Sequence, residues 1–240
     1  MKSIFTFCLL LVISINFTSC VNTNYELQES EEESNVKEEH FNYTIGNGPF
    51  VYFEDNTLKE ILLNNFTINI NLDNEITFDE ALAFNGKIKV SDNEISSMIG
   101  IEKFENIVEL NFARNKVTSI DLSQNIMLEN LNCAVNPFSV INLENNINLK
   151  FLEIRTTKIA YLDISNNINL KRVTIICSRK LKRINIKNGN NINVFLKCSY
   201  NNPLLECILV DDVNFAESGD WWIPNQTIYS LDCNIDSTND

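Results

Sequence analysis

The stretch LENLNCAVN at residues 128–136 repeats its apolar pattern 21 positions later, in LKFLEIRTT at residues 149–157. Three sets of apolar residues keep this spacing: Ile107, Leu128, Leu149 and Leu170; Leu110, Leu131, Leu152 and Val173; and Phe112, Cys133, Ile154 and Ile175. A fixed period of this length is typical of a fold in which each repeat forms one coil. The phase extends over residues 85–212, so the sequence predicts about six coils.

The alternation Leu-x-Leu in each unit predicts a short strand whose alternate side chains face the interior. One coil buries about five apolar side chains, which contributes roughly 10 kcal/mol at about 2 kcal/mol each. Ordering its backbone costs roughly 20–40 kcal/mol. Because a single coil cannot fold alone, we expect a cooperative stack in which neighbouring coils share hydrogen bonds and apolar surface.

Polar residues also recur in phase, at the turn that follows the strand. Asn115 and Asn136 hold this position, and Thr157 and Ser178 replace them in the next two units. An asparagine amide at a turn can bond backbone groups that lack a strand partner. The sequence therefore predicts a turn stabilised by side-chain hydrogen bonds.

Two segments, LNCAVNP at residues 131–137 and LDISNN at residues 162–167, resemble leucine-rich repeats in the short form found in secreted Bacteroidetes and Flavobacteria proteins. The resemblance implies an α/β repeat solenoid, namely a right-handed leucine-rich-repeat solenoid with a parallel sheet. It also implies a small helical N-terminal cap and an irregular C-terminal cap that carries a disulfide. By the same resemblance the repeat surface binds a ligand and catalyses no reaction.

Residues 203–240 resemble the C-terminal cap of those repeat proteins, because Cys207 lies in an apolar segment that is followed by Trp221, Trp222 and Cys233. The resemblance implies a disulfide between Cys207 and Cys233, worth roughly 3 kcal/mol in an oxidising compartment. The alternative is a pair of buried free thiols.

The remaining cysteines of the repeats divide into two kinds. Cys133 and Cys198 fall in the inward phase of the strands, so we expect buried structural thiols. Cys177 falls outside that phase, and the repeat pattern assigns it no role.

Residues 49–84 predict a helix-loop-helix cap at the other end. Four apolar residues follow helical spacing after a polar start: Leu58, Ile61, Leu62 and Phe66. The loop at residues 69–80 resembles an EF-hand calcium loop, with oxygen-bearing residues at positions 1, 3, 5 and 9 and a glutamate at position 12. The resemblance implies one calcium ion, held by Asn69, Asn71, Asp73, Glu75 and Glu80. The alternative is an inherited cap that has lost its ion.

The start of the chain predicts export. Lys2 and the apolar run at residues 4–13 indicate a secretory signal peptide over residues 1–19, too short to span a bilayer. The sequence Phe17-Thr18-Ser19-Cys20 resembles the lipobox of bacterial lipoproteins, which implies cleavage before Cys20 and a lipid on its sulfur. The alternative is ordinary cleavage nearby, with Cys20 an incidental thiol.

Residues 20–48 are polar and include the acidic cluster Glu29-Ser30-Glu31-Glu32-Glu33. Such a segment buries too little apolar surface to order itself, so we expect a flexible tether. Together with the lipobox, it implies a lipid-anchored protein at the bacterial outer membrane or cell surface after Sec-type export.

Composition excludes several classes of function. The 240 residues carry a formal charge of −13, which repels a phosphate backbone, so nucleic acid is not an expected partner. His40 is the single histidine, which excludes Ser-His-Asp and Cys-His catalysis and multi-histidine zinc sites. The chain also has no P-loop or dinucleotide fingerprint. We therefore expect a protein that is not an enzyme.

Polar residues near the predicted strands are expected on the open side of the array: Glu109, Asn111, Arg114, Asn130, Asn132, Glu153, Arg155 and Arg172. We expect this face to bind a protein or glycan ligand. Two alternatives stay open. One is an envelope spacer without a ligand. The other is a hydrolase that uses Glu109 and Glu153, which lie two coils apart at roughly 5 Å per coil.

Overall fold

A computed structural model describes residues 49–233. The expected signal peptide (1–19), the expected lipidation site Cys20 and the expected tether (20–48) lie outside the described residues. No helix between residues 49 and 233 has the length and apolar character needed to cross a membrane.

The elements of the described chain are three short helices and ten short strands. In chain order they are α1 (Asn56–Leu63), α2 (Phe78–Ala83), β1 (Lys87–Lys89), β2 (Glu109–Asn111), β3 (Asn130–Asn132), β4 (Phe151–Arg155), β5 (Tyr161–Asp163), β6 (Arg172–Ile176), β7 (Arg183–Asn185), β8 (Phe195–Lys197), β9 (Cys207–Leu209), α3 (Val213–Ser218) and β10 (Ile228–Ser230). Single 3₁₀ turns lie at Ile101–Lys103 and Asn191–Asn193.

The larger sheet has six parallel strands in the order β1-β2-β3-β4-β6-β8. Its strands pair in the register set by the 21-residue period: Leu110 lies opposite Leu131, which lies opposite Leu152. These leucines are 0–2% exposed and form one inner row of the core. The expected parallel repeat solenoid is therefore confirmed.

A second parallel sheet forms on the later coils, in the order β5-β7-β9-β10. In three of these coils the second-sheet strand follows the strand given to the first sheet: β5 follows β4, β7 follows β6 and β9 follows β8. β10 pairs in parallel with β9, with Ile228 opposite Cys207 and Ser230 opposite Leu209. Coil stacking thus continues beyond residue 212, where the repeat pattern in the sequence ends.

Two rows of asparagines bond the turns of neighbouring coils. In the predicted row, the Nδ2 of Asn115 donates to the carbonyls of Val90 and Phe112, each at 2.8 Å, and its Oδ1 accepts from the N–H of Ile95 at 3.0 Å. Asn136 repeats this pattern one coil later. These side chains supply the backbone partners that the turn itself lacks.

The second asparagine row is fully buried and was not predicted from the sequence. It consists of Asn125, Asn146 and Asn167, each 0% exposed. The Nδ2 of Asn146 donates to the carbonyls of Leu122 at 3.0 Å and Asn125 at 2.9 Å. Asn167 makes the equivalent bonds to the carbonyls of Leu143 and Asn146, in the coil before it. The spacing of 21 is itself the sequence signal for this row.

A left-handed residue follows the strand in successive coils. Arg114, Val135, Thr156 and Cys177 have φ values of 57°, 56°, 50° and 59°. This conformation is unfavourable for side chains with a Cβ, and more so for β-branched ones. Cys177, to which the repeat pattern assigned no role, therefore occupies the turn position that leads out of each strand.

The N-terminal cap is a helix-loop-helix whose first helix is shorter than the apolar spacing suggested. α1 ends at Leu63 with its C-cap at Asn64, and Phe66 lies beyond it with 75% of its surface exposed. The reason is local, because the Oδ1 of Asn65 accepts a hydrogen bond from the N–H of Thr67 and closes a turn there.

The N-terminal cap is bonded to the repeats through Asp55. Its carboxylate caps α1 by accepting from the N–H of Leu58 at 3.1 Å, and it also accepts from the N–H of Ser96 at 2.8 Å. Burial raises the pKa of Asp55, but these hydrogen bonds outweigh burial and lower the pKa below its usual value. Phe53 and Phe84 both pack on Phe104, with ring centroids 6.4 Å apart, which seals the first coil.

At the C-terminal end, Cys207 and Cys233 form the expected disulfide, with their Cα atoms 6.0 Å apart. Trp221 packs over the last coils, and its Nε1 donates to the carbonyl of Val194 at 2.7 Å. Cys133 and Cys198 are buried free thiols, as expected from their inward phase. Burial raises the pKa of Cys198 to about 12, so this thiol is unreactive at neutral pH.

Replacement of Asn146 by alanine tests the buried asparagine row. The change removes two buried hydrogen bonds, to the carbonyls of Leu122 and Asn125, each of which keeps one backbone N–H donor. At about 0.5–1.5 kcal/mol per hydrogen bond, we expect the free energy of unfolding to fall by about 1–3 kcal/mol. Urea denaturation followed by circular dichroism measures this change. Asn145→Ala is the matched control, because the Asn145 amide is exposed and, between residues 49 and 233, bonds the carbonyl of Ser123 alone. A loss below about 0.5 kcal/mol for Asn146→Ala, the range of ordinary surface changes, would contradict this role.

Candidate functional site

The candidate site is the outward side of the six-stranded sheet, which we call the sheet face. Because side chains alternate along a strand, the residues between the buried leucines all point to this side. The middle of the sheet face is a shallow depression of about 300 Å³. Six of the eight sequence-predicted face residues line this depression: Glu109, Asn111, Asn130, Asn132, Glu153 and Arg172.

Two predicted face residues lie outside the depression. Arg114 follows β2 in the left-handed turn, and its guanidinium contacts the exposed Asp92 at 3.4 Å. Arg155 is the last residue of β4, and its Nη2 lies 2.5 Å from a carboxylate oxygen of Glu153. The sequence period places both residues in phase, but it does not show where the strand ends and the turn begins.

The carboxylates of the sheet face are already paired. Glu109 lies between Lys87 and Lys89, with Nζ–Oε distances of 2.9 and 3.1 Å. The hydrogen bond from Lys87 is the main reason that the pKa of Glu109 is lowered. An acid that protonates a glycosidic oxygen needs a raised pKa instead. Glu109 is therefore an ionised, charge-compensated group that does not suit the acid role in hydrolysis.

The half of the sheet face formed by the later coils is aromatic and cationic. Phe151, Arg172 and Phe195 are register partners on three neighbouring strands, and Lys197 forms a parallel bridge with Trp222. We call these five residues the aromatic–cationic patch. Phe151 is 44% exposed and Trp222 is 52% exposed, so large apolar side chains lie open to solvent here.

The cations of the aromatic–cationic patch lie over its rings. The Cζ of Arg172 is 5.7 Å from the ring centroid of Phe195, and the Nζ of Lys197 is 4.9 Å from the Trp222 ring. The rings of Phe195 and Trp222 pack edge to face at 6.0 Å. Both cation distances are within the range of favourable cation–π contacts. These contacts hold the two cations in place on an open surface.

Four residues of this patch were not predicted from the sequence. Phe151 and Phe195 could have been found, because they share the strand position of Asn130 and Arg172 in the repeat. Lys197 could have been found too, because it lies two residues after Phe195 on β8 and so points to the same side of the sheet. Trp222 had no such signal, because it joins the sheet through one isolated bridge from the C-terminal cap.

The predicted calcium loop is closed by its own hydrogen bonds. The carboxylate of Glu80 accepts from the N–H groups of Ile70 at 3.1 Å and Thr77 at 2.9 Å. Burial raises the pKa of Glu80, but bonds led by those from Thr77 outweigh it, and the pKa is lowered. The Nδ2 of Asn69 donates across the loop to the carbonyl of Asp73 at 2.9 Å.

The donor set of this loop fits a calcium ion in part. Asn69 is 3% exposed, and its Oδ1 is buried without a hydrogen-bond partner among the described residues. Asn71 and Asp73 lie next to each other, because the Nδ2 of Asn71 donates to a carboxylate oxygen of Asp73 at 2.9 Å and the Oδ1 of Asn71 accepts from the N–H of Asp73 at 3.0 Å. However, Glu75 pairs with Lys59 at 2.8 Å, and residues 49–233 contain no cluster of three His, Cys, Asp or Glu side chains suited to a metal.

Comparison with known proteins gives structural neighbours. No family model matches the chain, and no curated protein matches it. An internalin (inlF) from Listeria monocytogenes is 20% identical, with a TM-score of 0.45 over 67% of this chain and 52% of that structure. The functional domain of InlJ from Listeria monocytogenes, whose structure includes a cysteine ladder, is 17% identical, with a TM-score of 0.39 over 57% of this chain and 46% of that structure. The chain spans about half the length of these structures.

Proposed function

We propose that this protein is a lipid-anchored bacterial surface protein whose sheet face binds a protein ligand without catalysis. The observation that carries the proposal is the open aromatic–cationic patch beside a shallow polar depression. Exposed Trp, Phe and Arg side chains are the types enriched at the centres of protein interfaces, whereas isolated surface charges contribute little. Glu109 and Glu153 form ion pairs with neighbouring cations. We therefore expect them to contribute little electrostatic attraction for a ligand.

The stacked coils also suit this function mechanically. Each of the four inner strands of the sheet face is bonded to a neighbour on both sides, so its side chains are held in fixed register. A pre-organised surface loses less conformational entropy on binding than a flexible loop does. The repeat thus fixes where each contact residue lies on the sheet face, and the type of residue at that position determines which chemical group it can bind.

A bulky side chain in the middle of the sheet face should block ligand capture. Asn130 lines the depression, and its side chain makes no hydrogen bond among the described residues, so Asn130→Arg should obstruct the surface without unfolding the protein. The wild-type protein is photo-crosslinked to its partners in envelope fractions, and quantitative mass spectrometry measures the amount of each captured protein. We expect Asn130→Arg to capture at least tenfold less of these proteins than the wild type does.

The matched control for this experiment is Asn166→Arg, which adds the same side chain at an exposed position away from the sheet face. Thermal melting shows that both variants are folded. Equal capture by the wild type and Asn130→Arg would contradict a ligand site on the sheet face and favour a structural spacer.

The anchor part of the proposal rests on the lipobox resemblance at Cys20. If the sulfur of Cys20 carries the lipid, labelled palmitate should enter the wild-type protein, and Cys20→Ala should remove the label. Cys133→Ala is a suitable control, since the buried thiol of Cys133 is not expected to be acylated. Equal labelling of wild type and Cys20→Ala would rule out this anchor.

We further propose that the N-terminal cap binds one calcium ion through Asn69, Asn71, Asp73 and Glu80. The unpartnered, buried Oδ1 of Asn69 supports this, while the bonds that Glu80 already makes imply low affinity. A dissociation constant of about 1 mM, within the range of extracellular calcium modules, would stabilise the fold by about 1.4 kcal/mol at 10 mM calcium.

Differential scanning calorimetry measures this stabilisation as a rise in melting temperature on adding calcium. Asp73→Ala should abolish the rise, and Asn69→Asp, which restores a carboxylate at the first loop position, should enlarge it. Magnesium is the ionic-strength control. An unchanged melting temperature of the wild type at 10 mM calcium would contradict calcium binding by the N-terminal cap.

A further inference from the structure

Positive charge is concentrated in one part of an otherwise acidic protein. Residues 150–200 contain eleven Lys and Arg but two Asp and Glu, within a chain whose formal charge is −13. Among the described residues, nine of these eleven cations make no ion pair; only Lys150 and Arg155 pair with a carboxylate. The later coils therefore present uncompensated positive charge, unlike the earlier coils.

Part of this charge lies on the sheet face itself. Arg172 and Lys197 belong to the aromatic–cationic patch, and neither has a carboxylate within ion-pair distance between residues 49 and 233. Lys171, directly before β6, is also exposed. The earlier half of the face differs, because the cations Lys87 and Lys89 are already bound to Glu109.

The geometry of these cations suits carboxylates. A guanidinium that lies over an aromatic ring keeps the N–H groups of its edge available for a bidentate contact with a carboxylate. The Phe195 and Trp222 rings support Arg172 and Lys197 from one side, so the two cations lose little side-chain freedom on binding. The exposed rings next to these two cations also give apolar contact area, which a surface of lysines alone does not provide.

A protein segment fits this surface better than a sugar chain does. A sugar ring stacks flat on an exposed aromatic face, but one face of Phe195 and one face of Trp222 are already covered by cations. The same two rings meet edge to face at 72°, so they do not form a flat platform. Side chains of a peptide can instead contact ring edges while their carboxylates reach the cations.

We propose that the aromatic–cationic patch binds an acidic segment of the protein ligand, rich in Asp and Glu. This inference rests on the proposed function, and it names the chemistry of the partner. The acidic segment contacts Arg172 and Lys197 through its carboxylates and Phe151 through its apolar groups. The rest of the protein carries a net negative charge and repels an acidic segment, so we expect such a segment to bind at the later coils.

Fluorescence anisotropy with defined peptides tests this assignment on the full chain. The probe is a fluorescein-labelled peptide of eight glutamates, and the neutral reference is a peptide of eight glutamines. We expect the glutamate peptide alone to bind, with affinity that falls as NaCl is raised from about 50 to 500 mM, since surface charge is screened. The double variant Arg172→Glu with Lys197→Glu should bind at least tenfold more weakly.

The matched control reverses two charges elsewhere. Lys182→Glu with Arg183→Glu makes the same change in net charge at the start of β7, which belongs to the other sheet. This variant should bind as the wild type does. Arg172→Gln with Lys197→Gln removes both charges but keeps part of each aliphatic stem. It should weaken binding several-fold, which provides a second variant if the reversal does not fold.

Several results would overturn the assignment. Equal binding by the wild type and the Arg172/Lys197 variants, or loss in the Lys182/Arg183 control instead, would place the acid contact elsewhere. Oligogalacturonate that binds as tightly as the glutamate peptide would contradict a peptide partner. If the glutamate peptide fails to bind while Asn130→Arg still abolishes capture, the acidic segment is refuted and the proposed function stands.

Discussion

The structure depends on hydrogen bonds to backbone groups in the buried turns between coils. A parallel strand of three residues leaves most of its coil without a strand partner, and an unpaired carbonyl in the core costs free energy that one coil cannot supply. The two asparagine rows meet this requirement. Asn136 donates to its own turn and to the coil before it, whereas Asn146 donates twice to the coil before it. The coils are therefore joined by side chains as well as by strands.

This constraint explains why distant residues form one surface. When every coil must place an asparagine above the previous one, residues 21 apart become neighbours at the strand spacing. Asn130, Phe151 and Arg172 therefore lie side by side on the sheet face. The same repeat allows the face to change character along its length, from compensated charge around Glu109 to exposed rings and free cations in the later coils.

Much of this fold follows from the sequence, because a period over several units averages out local ambiguity. The inward leucines and the parallel register are examples. The exceptions are positions where the period carries no information. Phe66 lies outside the helix predicted for it because Asn65 closes a local turn. Arg114 belongs to a turn and not to a strand. Trp222 contacts the sheet from a segment outside the repeat.

A distance across the sheet face tests the stacking most directly. Lys89 and Lys197 occupy the same strand position on β1 and β8, five strand spacings apart, which corresponds to about 24 Å at about 4.8 Å per strand. Spin labels at Lys89→Cys and Lys197→Cys, measured by double electron–electron resonance, should give one narrow distribution between about 20 and 30 Å. A broad distribution, or one centred beyond about 40 Å, would contradict the in-register stack.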